Sequence, residues 1–231
     1  MRNTVAVFKN QFNEFLSDKE VLLFFVMFPT MVFLQTHIME LNEGVYPYMI
    51  VKGMGSMFAS AFMIMILPQL IAEHHENGSL RFMVMSGIKP ISYLMGIGGF
   101  FLMLNMISAT AFAWMGEFTG TALINFMLTM LLGTVSSILV AAIIGILSKN
   151  RQKAMGIALP AGMGLMFLPM LVNAFEPLGP ILDLLYLGRL DNMMAAVFTG
   201  DFMMDVIVIL VNIVVLGVIF AVLFKRKGLK S

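Results

Sequence analysis

Cysteine is absent from this 231-residue chain. That excludes disulfide frameworks, thiolate nucleophiles and Cys-based zinc or iron–sulfur sites. Charge is scarce too: 12% of residues are Asp, Glu, Lys or Arg, about half of what a soluble domain carries. Lys and Arg number 14 against 13 Asp and Glu, so no basic surplus is available to neutralise phosphates, which argues against nucleic acid as a partner. A Gly-x-x-x-x-Gly-Lys-Ser/Thr phosphate loop is missing, so the chain cannot cradle ATP as that motif does. With no strong internal repeat, linker or second domain in view, residues 1–231 read as one domain.

What is present is apolar. Hydrophobic residues make up 60% of the chain and the mean hydropathy is +0.94, which points to the bilayer and sets the soluble readings aside. Six runs reach the length of about 20 residues that a helix needs to cross about 30 Å of hydrocarbon: 20–39, 48–72, 91–115, 121–148, 154–175 and 202–224. The expected fold is therefore an all-α integral membrane protein with six transmembrane helices. Cations accumulate on the cytoplasmic side of membrane proteins. With the N-terminus inside, all Lys and Arg residues except Lys52 and Arg189 fall in cytoplasmic segments, so both termini are expected in the cytoplasm. The 25 Met and 21 Phe residues suit lipid-facing and helix-packing positions, or an adaptable surface for a greasy substrate.

Residues 1–18 interleave charge with apolar positions and lack the apolar core of a signal peptide. Val5, Phe8, Phe12, Phe15 and Leu16 share one helical face, the pattern of a helix lying in the membrane interface. On the outer side, 176–201 contains apolar pieces too short to cross the membrane. They are expected to form a broken re-entrant or cap segment before the last span, shielded by protein.

The most polar inward loop is 73–90. Glu73, His74, His75 and Glu76 suggest a metal site at first, but adjacent histidines point about 100° apart on a helix and the third, His37, lies near the other side of the membrane. Leu80, Phe82, Met83, Val84 and Met85 form an apolar patch between Arg81 and Lys89, suited to a short surface helix that meets another protein. Neutral polar residues within the spans (Gln35, Gln69, Asn105, Asn125, Asn173, Asn212) are expected to bond helix to helix. The spans carry no carboxylate row and no Arg/Lys ladder, which weakens proton-coupled and voltage-sensing readings. A Ser56/His37 pairing lacks any recognisable nucleophile motif.

Glu73-x-x-Glu76-x-Gly78-Ser79-Leu80-Arg81, followed by an apolar stretch, Ser86-Gly-Ile-Lys-Pro90 and Tyr93-Leu94-x-Gly96, resembles the signature of the type-2 ABC exporter permeases. In that family a Glu-Arg-Glu-x-Gly-Thr-like loop leads into a coupling helix. His74-His75 departs from the family's Arg beside the first Glu, and Lys52 departs from its uncharged start of the second span. The resemblance implies a permease subunit in the cell membrane, that of a bacterium, paired with a second permease chain of the same or homologous sequence. ABC ATPase subunits beneath the pair would hold the ATP and magnesium, this chain having no cofactor and no catalytic or metal residue of its own. It assigns Glu73, Glu76, Gly78, Ser79, Leu80, Arg81, Phe82 and Met83 to ATPase coupling and the 1–18 helix to bracing the bundle. Nearly uncharged, Met-rich walls suit an amphipathic or hydrophobic cargo, and the resemblance implies an antimicrobial or toxic peptide or a drug. The alternatives are a lipid or glycan exporter and an ion-coupled secondary transporter.

Overall fold

Pro47 and Pro90 open two of the long helices, whereas Pro29 and Pro68 lie inside theirs. The computed structural model describes residues 19–43, 46–174 and 179–228. The expected interfacial helix, with Val5, Phe8, Phe12, Phe15 and Leu16, lies outside them, as do 176–178 of the outer segment.

The described chain runs α1 (Lys19–Glu43), α2 (Pro47–Met57), a π-helical turn (Phe58–Phe62), α3 (Met63–Glu76), α4 (Ser79–Met85), α5 (Pro90–Met115), α6 (Gly120–Leu147), α7 (Arg151–Ala174), α8 (Gly179–Leu184), α9 (Tyr186–Ala195) and α10 (Met203–Gly228). Pro47 and Pro90 stand in the first turns of α2 and α5, where a missing N–H costs nothing because that group has no intrahelical partner. The α2, π and α3 segments form one continuous rod, Pro47–Glu76.

Four helices among the described residues are long and apolar enough to cross a bilayer: Pro47–Glu76, Pro90–Met115, Gly120–Leu147 and Met203–Arg226. The protein is membrane-embedded and all-helical over the described residues. Six spans were expected. In α1 the described apolar stretch is the shorter Phe25–Met39, and α7 opens on the polar run Arg151-Gln152-Lys153.

The Pro47–Glu76 rod and α6 form the centre, each 67% buried within its apolar window, whereas α10 is 11% buried. Small residues let the central helices approach. A Cβ on Gly133 of α6 would stand 2.9 Å from the Ala59 Cβ, and one on Gly145 would stand 2.7 Å from the Ile71 Cβ and 3.0 Å from the Pro68 carbonyl. This is the small-residue contact that substitutes, in lipid, for a hydrophobic driving force between helices. The rod also carries an aromatic seam: Phe58 meets Phe62, Phe28 and Phe112 at ring separations of 4.4, 4.9 and 5.1 Å, the close ring contact by which aromatic pairs add to packing. A second, smaller core gathers Leu182, Tyr186, Leu187, Leu190 and Met193 of α8 and α9 against Leu132, Phe202 and Ile209.

The π turn explains how α9 attaches. A shift from i+4 to i+5 bonding displaces carbonyls from their usual partners, and in a dry interior they need new donors. Ala59 O accepts from the Ser137 hydroxyl of α6 at 2.8 Å, and Ser60 O accepts from the Tyr186 hydroxyl of α9 at 2.9 Å. Burial pushes the Tyr186 phenol far above its ordinary pKa, so it stays protonated and donates.

The interhelical role expected of the neutral polar residues holds for some and fails for others. Asn125 reaches Val197 O at 2.9 Å and Asn212 reaches Leu184 O at 3.1 Å, both tying spans to the α8–α9 region. Gln69 bonds within its own helix, to Met65 O. Gln35 likewise turns to Met39 on its own helix, and Asn105, fully buried, finds no partner among the described residues. Asn173 lies on α7, and its side chain is outside the described residues.

Candidate functional site

The rod does not stop at the expected end of the second span. It continues through Glu76, so the polar tetrad Glu73-His74-His75-Glu76 is the last turn of α3 rather than a loop. Acids are unwelcome at the C-terminus of their own helix, but these serve another. Glu76 and Glu73, three residues apart on one face, both reach the start of α7. The Glu76 Oε2 accepts from the Arg151 backbone N–H at 3.1 Å, and the Glu73 Oε2 pairs with the Arg151 guanidinium at 3.2 Å. A carboxylate on a helix-starting amide satisfies a donor that lacks an intrahelical partner. His74 is buried, with Nδ1 3.0 Å from the Tyr93 hydroxyl on α5; the Tyr93 ring in turn meets Phe224 of α10 at a tilt, with ring centres 5.3 Å apart. The tetrad therefore fixes three helices to α3: α7 through the glutamates, and α5 and α10 through His74 and Tyr93. Among the described residues, no group of three His, Asp or Glu is placed to hold a metal ion.

Beyond Glu76 the chain turns at Asn77 and Gly78, and Gly78 has φ +69°. That left-handed conformation suits glycine and costs other residues about 1 kcal/mol or more. Ser79 then opens α4, a helix of seven residues, and Gly87, with φ +77°, ends the segment before Pro90 starts α5. Glycines in the left-handed conformation therefore stand at both ends of α4. Leu80 and Arg81 lie on α4, and their side chains are outside the described residues. Met83 is half-buried and packs on the main core, seating the helix on the bundle. Phe82 and Met85 point away, 74% and 73% exposed.

No family model matches this chain, and none of the curated proteins compared with it does either. Function therefore rests on the site's own geometry.

The opposite end of the bundle has its own polar ties. Lys52 donates to Ala195 O at 3.1 Å and lies 5.8 Å from the Phe198 ring centre. Arg189 pairs with Asp205 of α10 at 3.1 Å and donates through Nε to Asp183 O at 2.7 Å. Lys52 and Arg189, the pair set apart by the charge partition, thus both make polar ties in the α8–α9 region. His37 is exposed and stacks on Phe33, while Ser56 is buried in the rod.

The sequence picked out the 73–90 segment and quoted Tyr93 in its signature, but gave neither Tyr93 nor Arg151 an anchoring role. The glutamate spacing is a helical i,i+3 signal, legible in principle; their partner across the fold is not.

Proposed function

We propose that the chain is the permease subunit of an ATP-driven exporter, with six spans and both termini on the cytoplasmic side, forming a pathway for an amphipathic or hydrophobic cargo. The observation that carries this reading is α4: a short helix between left-handed glycines, seated on the bundle by Met83 while Phe82 and Met85 stand exposed. Exposed aromatic and Met side chains are typical anchors of a protein interface. In this reading they enter a groove on a separate ATPase, which supplies the ATP and magnesium that this chain has no phosphate loop to bind. A second permease chain completes the pathway.

The mechanical argument follows from connectivity. A push on α4 reaches α3 through Asn77 and Gly78, and α5 through Ser86 to Lys89. The braces from Glu73, Glu76 and His74 tie α3 to α5 and α7, so displacement at α4 moves packed helices together. Such rigid-body coupling shifts a bundle between discrete arrangements. Placement of Lys89, Lys149, Arg151, Lys153, Lys225 and Arg226 near this end supports its assignment to the cytoplasmic side.

The test is affinity purification of the chain in mild detergent. A co-purifying ATPase with a phosphate loop is the expected outcome, and its stoichiometry reports the second permease. Full transport activity by the chain alone sinks the proposal. With the complex in hand, Phe82→Ala is expected to uncouple ATP hydrolysis from transport without affecting membrane insertion.

A further inference from the structure

At the end opposite α4, the turn from α5 to α6 holds an acid in a place that local physics assigns to another residue. The C-terminus of α5 closes with the Phe118 N–H on Ala113 O at 3.1 Å and the Glu117 N–H on Trp114 O at 3.2 Å, the paired bonds of a Schellman cap. That motif calls for glycine at its left-handed position. Glu117 occupies it instead, with φ +55°, the one non-glycine residue at positive φ among those described. An acid there also faces the negative end of the helix dipole. No described cation pairs with Glu117. Backbone strain and an unneutralised acid at one residue are the kind of local cost that persists at functional sites.

Glu117 lines a cleft of about 400 Å³ between α1, the start of α2 and this turn, a volume in the range of small-molecule sites. Its other walls are mostly apolar and aromatic: Phe33, Trp114 and Phe118, with His37 stacked on Phe33. Trp114 is 75% exposed. Aromatic faces and a carboxylate attract the same kind of ligand, a cation with an apolar body.

We propose that this cleft binds hydrophobic organic cations, with Glu117 supplying the charge and Phe33 and Trp114 the ring contacts. The proposal deepens the exporter reading by naming a cargo class and a binding site at the outer end of the bundle, and it rests on that reading only for the step from binding to transport.

The test needs only the purified full chain in an uncharged detergent. Trp114 is the single tryptophan, so its emission reports the cleft directly. Tetraphenylphosphonium is expected to change that emission saturably, while tetraphenylborate, of the same shape and opposite charge, is not. Glu117→Gln should weaken phosphonium binding about fivefold or more, and Phe33→Ala, at an exposed site, should weaken it as well. Glu117→Gly guards against misfolding: it should weaken binding while its melting temperature stays at or above that of the parent. Equal saturable responses to both ions, or unchanged affinity in Glu117→Gln, overturn the proposal. Binding here requires no ATPase. Failure to recover an ATPase therefore sinks the exporter reading and leaves the cleft standing, whereas a recovered ATPase with no phosphonium binding sinks only the cleft.

Discussion

The two ends of the bundle use acidic residues in opposite ways. At the α4 end, Glu73 and Glu76 meet the N-terminus of α7 and its Arg151, so charge sits where helix dipoles and unpaired amides favour it. At the other end, Glu117 sits at a helix C-terminus in a left-handed conformation, and no described cation pairs with it. The first arrangement is explained by stability alone. The second is not, and it coincides with a cleft. All three acids stand at the C-terminal end of their own helix, and what separates the brace from the candidate ligand group is whether the acid meets another helix's N-terminus.

The strongest way to probe the cap end is Tyr186→Phe. It strips the donor from a buried π-turn carbonyl and is expected to lower stability by about 2 kcal/mol, measured as a loss of melting temperature in detergent. An unchanged melt would show that the π turn does not need α9.

Two reciprocal substitutions sharpen the contrast directly. Gly78→Ala should cost about 1 kcal/mol, because alanine resists φ +69°. Glu117→Gly should gain about 1 kcal/mol by the same physics applied in reverse. Parallel thermal melts of both variants check the pair. Destabilisation by Glu117→Gly would mean that the acid has a structural partner and would erase the distinction between the two ends.

The smallest effect belongs to the ion pair. Arg151→Met leaves the backbone N–H on Glu76 in place and removes the contact with Glu73, whose side chain and partner are 40% and 39% exposed. Solvent screens such a pair, so a loss of about 0.5 kcal/mol or less is expected. A larger loss in the same melt would assign the guanidinium a role beyond this brace.

Much of the fold was legible in the sequence because bilayer thickness imposes a length on apolar runs. The long helices coincide with those runs, and Pro47 and Pro90 mark starts that proline chemistry favours. Boundaries were less legible: α3 carries four residues past the expected end, since a helix can project beyond the hydrocarbon and its polar tetrad finds partners there. At the α4 segment, Gly78 carried a conformational signal, while the exposure of Phe82 and the seating of Met83 depended on which face of a seven-residue helix met the bundle. The π turn left no readable mark in Phe58-Ala-Ser-Ala-Phe62, because it is held by Ser137 and Tyr186, about 80 and 125 residues downstream.

Composition and hydrophobic run length by themselves determined a helical membrane protein without a phosphate loop, since the cost of burying charge and unpaired backbone in hydrocarbon leaves few alternatives. Only the tertiary structure decided which polar residues are braces and which are unpartnered. Asn125 and Asn212 became ties to the α8–α9 region, Asn105 stayed unbonded among the described residues, and Glu117 came to line a cleft with Phe33 and Trp114. Those distinctions depend on approach distances between helices far apart in sequence, which are set by small residues such as Gly133 and Gly145 only once the helices have packed.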